Sequence, residues 1–167
     1  MLVSALPPIP FASALNGALN YPYGCAEQTT SKGYAALMLD EATSAMLGAD
    51  GLDAKTRRER MEGAFGRLAS MWGDDGYINP WLTPYIAEFL LDAKDAGFAV
   101  PDNVLQKALN RLSEDLLSGG NQFYGEDRRE NLKFANQAYS GYVLARVNRA
   151  PLGTLRALYD NERSKSL

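Results

Sequence analysis

Cys25 and Gln28 are the residues of this sequence whose types and spacing could do covalent chemistry. Cys25 is the only cysteine in the chain. A helix starting at Cys25 would put Gln28 one turn above it on the same face, with Cβ atoms about 5–6 Å apart. The Cys25 thiolate could then attack the Gln28 side-chain amide. The sulfur–carbon bond forms, the carbon–nitrogen bond breaks, ammonia leaves and an internal thioester closes. Such an acyl group lasts only while water and amines are kept away. Once exposed, it acylates the nearest nucleophile and returns the thiol. Gly24 lets the backbone turn tightly before the helix, and Pro22 stiffens the entry. The competing reading is a lone cysteine acting as a small buried hydrophobe, the ordinary use of an unpaired thiol.

The flanking residues decide between the two. The run Tyr21-Pro22-Tyr23-Gly24-Cys25-Ala26-Glu27-Gln28-Thr29-Thr30-Ser31 closely resembles the Gly-Cys-x-Glu-Gln thioester motif of the alpha-2-macroglobulin and complement superfamily, in the longer form of its bacterial branch. The resemblance implies that Cys25 and Gln28 are the cross-linked pair, with Tyr21, Pro22, Tyr23, Gly24 and Glu27 supporting the motif. It also implies a non-enzymatic, single-turnover inhibitor of endopeptidases. In that family a protease cuts a bait segment elsewhere, the parent rearranges, and a protease lysine amine attacks the glutamine acyl carbon. The implied partners are target proteases, the remaining half of the thioester domain and the macroglobulin-type domains of the parent. The implied location is the periplasm or cell envelope, with the parent a lipoprotein on the inner membrane. Some members relay the acyl group through a histidine to hydroxyls. This chain has none, so direct transfer to amines is expected.

Composition narrows the chemistry further. The 167 residues are 46% hydrophobic and 22% charged, enough apolar content for a real core in one domain or part of one. A net charge of −3 gives no nucleic-acid footprint. The absence of histidine removes a Ser-His-Asp triad, a Cys-His dyad and the usual zinc sites, so no metal or cofactor is expected. A single cysteine excludes an internal disulfide. No segment is long and apolar enough to span a membrane, and Met1–Leu6 lacks the charged start of a signal peptide.

The elements that must position the pair read as helices. Phe11 to Leu19 could form a short one. Glu27 to Leu47 reads as a single helix ending at Gly48, with Leu37, Met38, Ala42, Ala45 and Met46 at helical spacing. Asp53 looks like an N-cap. Met61, Ala64, Phe65, Leu68, Ala69 and Trp72 form the next stripe, and Arg57-Arg58-Glu59-Arg60 read as its solvated face. Asn79-Pro80 opens a helix with Leu82, Tyr85, Ile86, Phe89, Leu90 and Ala93 inside, closed by Gly97. Pro101-Asp102 opens another, with Leu105, Ala108, Leu109, Leu112 and Leu116 inside. After Gly119-Gly120 and a polar loop, Asn131 to Asn148 carries Leu132, Ala135, Ala138, Tyr139, Tyr142 and Val143 on its expected inner face. Pro151 opens a last short helix, and Asn161 to Leu167 read as a frayed tail. The Leu68, Phe89, Leu109 and Tyr139 faces are expected to be buried together.

Trp81 to Lys94 resembles Phe134 to Arg146, an internal repeat with a period near fifty residues, which points to stacked helix pairs. The expected fold is all-α: about six helices forming half of an α/α toroid. Residues 1–20 would be a lead-in, and 21–167 the first half of the thioester domain, a fragment of a larger multidomain protein. Such a half is expected to self-associate through unpartnered apolar faces and to carry Cys25 as a free thiol. Two other readings follow from the same helices. One is a toroid enzyme of the terpenoid cyclase or prenyltransferase type, which needs an aspartate-rich metal motif and for which Asp74-Asp75 is the only pair of adjacent aspartates. The other is a plain helical interaction scaffold.

Overall fold

Helix boundaries in this chain follow from caps as much as from hydropathy. The structure is a computed structural model and describes residues 24–47, 52–72, 81–118 and 129–162, together with Gly17. Among these residues there are seven helices and no strand: α1 (Ala26–Met38), α2 (Glu41–Leu47), α3 (Ala54–Met71), α4 (Leu82–Asp95), α5 (Asp102–Leu117), α6 (Arg129–Arg146) and α7 (Leu152–Glu162). The all-α expectation holds. Outside the described residues lie Tyr21–Tyr23, the expected Phe11–Leu19 helix apart from Gly17, Gly48, Asp74-Asp75, the Asn79-Pro80 cap, Gly119-Gly120 and the last residues of the tail.

The single helix expected over Glu27–Leu47 is two. Leu39 leaves helical geometry (φ −94°, ψ 72°) while its N–H still reaches the Ala35 carbonyl at 3.1 Å. Asp40 then caps a new helix, its Oδ1 accepting the Thr43 N–H at 2.7 Å. That bond, with the Thr43 hydroxyl next in size, holds the Asp40 carboxyl below its usual range. Asp53 caps α3 as expected, with the Thr56 N–H at 2.7 Å from Oδ1. At the end of α4, Gly97 takes a positive φ of 86°, which lets the Phe98 N–H turn back to the Ala93 carbonyl at 2.9 Å.

By contact density the chain divides into two units, Met1–Gly66 and Arg67–Leu167. In the second, α4 packs on α5 and α6, α5 packs on α6, and α6 packs on α7. Ile86, Phe89 and Leu90 of α4, Leu105, Leu112 and Leu116 of α5, and Val143 and Leu144 of α6 are buried there. Each contributes about 1.5–3 kcal/mol by leaving water. Two polar links join α4 to α6. Arg146 donates to Asp92 at 2.6 Å and to Asp95 at 2.8 Å. The Tyr139 hydroxyl donates to Glu88, and burial followed by this bond raises the phenol pKa. Leu68, Phe89 and Leu109 are each buried, whereas Tyr139 is only half-buried.

The inner face of α6 differs from expectation. Of its predicted residues only Val143 is buried; Ala135 and Ala138 are exposed, Tyr142 is 53% exposed and Leu132 37%. The helix instead buries Asn136, Gln137, Ser140, Gly141 and Leu144 beside Val143. The reason is close packing. A Cβ added to Gly141 would stand 2.5 Å from a Leu155 methyl, so the glycine lets Leu155 of α7 pack against α6 without moving aside. Small and polar residues give no hydropathy signal. Gly141→Val is therefore expected to cost about 1–3 kcal/mol of stability through overpacking. Gly141→Ala should cost less, because the end of the Leu155 side chain can swing aside. Urea unfolding of the two variants checks the order.

Candidate functional site

Gly24, Cys25, Glu27 and Gln28 come together at the start of α1. Cys25 is the N-cap residue, with extended backbone (φ −66°, ψ 172°), and Gln28 is the third helical residue. The two form a reciprocal capping box in which cysteine stands where serine or threonine is usual. The Gln28 backbone N–H faces the Cys25 side chain, and the Cys25 backbone N–H donates to Gln28 Oε1 at 3.2 Å. The Cys25 carbonyl accepts the first helical bond from the Thr29 N–H at 2.8 Å. Cys25 is a free, exposed thiol and Gln28 is half-buried. Glu27 is exposed in the first turn, where a negative charge complements the helix dipole.

Two residues that sequence reasoning did not single out hold this turn in place. Thr29 and Thr30 are buried. Thr30 Oγ1 donates to the Ala26 carbonyl at 2.8 Å and Thr29 Oγ1 to the Gly24 carbonyl at 3.4 Å. With this side turned inward, Cys25 and Glu27 are left outward. The signal available in the sequence was the pair of β-branched hydroxyl residues, uncommon inside a helix unless their hydroxyls bond back to the preceding turn.

The far end of α1 is held from α3. Arg57 Nε donates to the Ala36 carbonyl at 2.9 Å, and Arg57 Nη2 donates to the Leu37 carbonyl. Arg57 is half-buried, which corrects its reading as part of a solvated face; Arg58 and Glu59 are exposed as expected.

Chemically, the turn presents a thiol and a carboxamide from the same helix face. The amide oxygen already rests on a backbone donor. If the Gln28 acyl carbon became tetrahedral, negative charge would build on that oxygen, and the Cys25 N–H stands where it would stabilise that charge.

Comparison with known proteins gives a consistent neighbourhood. The chain is 68% identical to an alpha-2-macroglobulin of Xylella fastidiosa, over 99% of this chain and 11% of the relative. It is 33% identical to the alpha-2-macroglobulin of Escherichia coli, over 96% of this chain and 10% of the relative. It thus spans about a tenth of the length of the curated relatives it matches. Among solved structures, Salmonella alpha-2-macroglobulin reacted with methylamine matches at a TM-score of 0.83 and 34% identity, over 93% of this chain and 11% of that one. Trypsin-activated E. coli alpha-2-macroglobulin matches at 0.73 and 35%, over 84% of this chain and 10% of that one. No protein-family model matches.

Proposed function

The chain belongs to the alpha-2-macroglobulin family, whose members are protease inhibitors rather than enzymes, and on that premise we propose that it carries the covalent-capture site of such an inhibitor. Cys25 sulfur attacks Gln28 Cδ, ammonia leaves and the thioester closes. When it is exposed, a lysine amine of the attacking protease adds to Cδ. The carbon–sulfur bond breaks, an amide joins the two proteins and Cys25 takes up the proton as a free thiol. The bond is spent once, so capture is a single event.

The observation that carries this reading is the Cys25–Gln28 capping box, which holds the two side chains within one helical turn with the amide oxygen already on a donor. Two relatives support it by what was done to them: the Salmonella protein reacted with methylamine, a small amine, and the E. coli protein was activated by trypsin.

Further parts of the proposal follow from the family. Cys25 is exposed in this stretch, so the shield that a thioester needs would come from the other half of a toroid, of which residues 21–167 are the first half, and from macroglobulin-type domains. Tyr142, Leu152 and Tyr159 are exposed on α6 and α7. They support the view that further helices belong there, and that the stretch by itself self-associates with its thiol open. A periplasmic or cell-envelope location, with a lipid-anchored parent, is proposed on the family alone.

Intact-mass spectrometry of the full-length protein is the test. The native mass should be lower by one ammonia, and methylamine should abolish that deficit while releasing one thiol. A native mass equal to the unmodified sequence would sink the covalent reading.

A further inference from the structure

A helix leaves its last carbonyls without partners inside the helix. In α1 two of these, on Ala36 and Leu37, are taken by one guanidinium, that of Arg57 on α3. The planar fork closes two successive carbonyls, which a single lysine ammonium does not reproduce. Its positive charge also sits at the negative end of the α1 dipole. Arg57 is itself held. Its N–H bonds the Asp53 carbonyl at 2.9 Å, and Asp53 is bonded by both the N–H and the hydroxyl of Thr56. Met61, one turn further along α3, is completely buried. Asp40, the cap of α2, lies near enough for its carboxylate to feel the Arg57 charge. The clamp therefore joins the end of α1 to the first turn of α3, both within the unit that holds Cys25 and Gln28.

We propose that Arg57 is a positioning residue for acyl transfer: by clamping the C-terminal end of α1, it sets the depth and rotation of the helix whose first turn carries Cys25 and Gln28. The proposal rests on the covalent reading above. Thr29 and Thr30 are buried at the near end of the helix and bond only within its own first turn, whereas Arg57 ties the far end to another helix. With the far end released, α1 can slide or turn on its neighbours and carry the Gln28 acyl group out of register with its shield. Displacements of about 1 Å at reacting groups change rates by up to roughly a hundredfold.

The test uses the full-length protein with Arg57→Gln, Arg57→Lys and, as a neighbouring control, Arg58→Gln. Three quantities are measured well below each melting midpoint: the fraction with the ammonia deficit, the rate of spontaneous thiol release and the rate of release by methylamine. The melting midpoint is recorded beside them. Arg57→Gln is expected to lose most of the deficit or to release thiol roughly tenfold or more faster. Arg57→Lys should fall between it and the unsubstituted protein, and Arg58→Gln should match the latter. If Arg57→Gln does not fold, the Arg57→Lys rates decide. A lower midpoint with deficit and both rates unchanged would leave Arg57 a stability residue and overturn the proposal. An unsubstituted protein without the ammonia deficit would instead overturn the covalent reading itself, and the two failures are distinguished by that one mass.

Discussion

Cys25→Ser in the full-length protein is expected to abolish covalent capture while leaving the fold intact. Serine is among the best N-cap residues, so the start of α1 and its bond from the Cys25 position to Gln28 Oε1 should survive. The chemistry should not. A neutral hydroxyl attacks an amide only with a base to take its proton, and these 167 residues hold no histidine to serve. Gln28→Glu should be equally silent for the opposite reason. It keeps the shape and the capping-box partner but has no ammonia to expel, and a carboxylate is a poor acyl donor. Both variants should lack the mass deficit and form no adduct with an activating protease that survives denaturing electrophoresis. Adducts retained at wild-type level by Cys25→Ser would show that the bond is made elsewhere.

The second large effect concerns the choice of nucleophile. Activation by protease in equal concentrations of labelled methylamine and labelled glycerol should label the protein almost entirely with methylamine. An unprotonated amine adds to a thioester unaided, whereas a hydroxyl needs an activating base or an acyl-imidazole relay. Any such relay would need a histidine from outside these 167 residues. Mapping the label to Gln28 would complete the assignment. Predominant glycerol incorporation would mean that another part of the protein supplies the base.

Much of this was legible from residue order. The caps Asp53 and Pro101, the stop at Gly97, and the stripes through Phe65, Phe89 and Leu112 all appear as helices and buried positions. The inner face of α6 was not legible. With Trp81 set against Phe134, the stripe expected for α4 falls on Ala135, Ala138, Tyr139, Tyr142, Val143 and Arg146 of α6, of which only Val143 is buried. The apolar stripe misled because α6 buries small and polar side chains where α7 comes close.

By itself the sequence determined the helix class, the family and the candidate pair, because these rest on local quantities: residue type, cap, turn spacing and a contiguous motif. Only the tertiary structure decided that Leu39 and Asp40 divide one apparent helix into two, that α6 turns Ser140 and Gly141 inward, and that Arg57 reaches back to α1. Each of these depends on a partner distant in sequence or on a backbone angle. Arg57 and the Ala36 carbonyl are brought to 2.9 Å by the fold alone. An arginine in a charged run reads as solvated until the chain supplies the two carbonyls that its guanidinium fits.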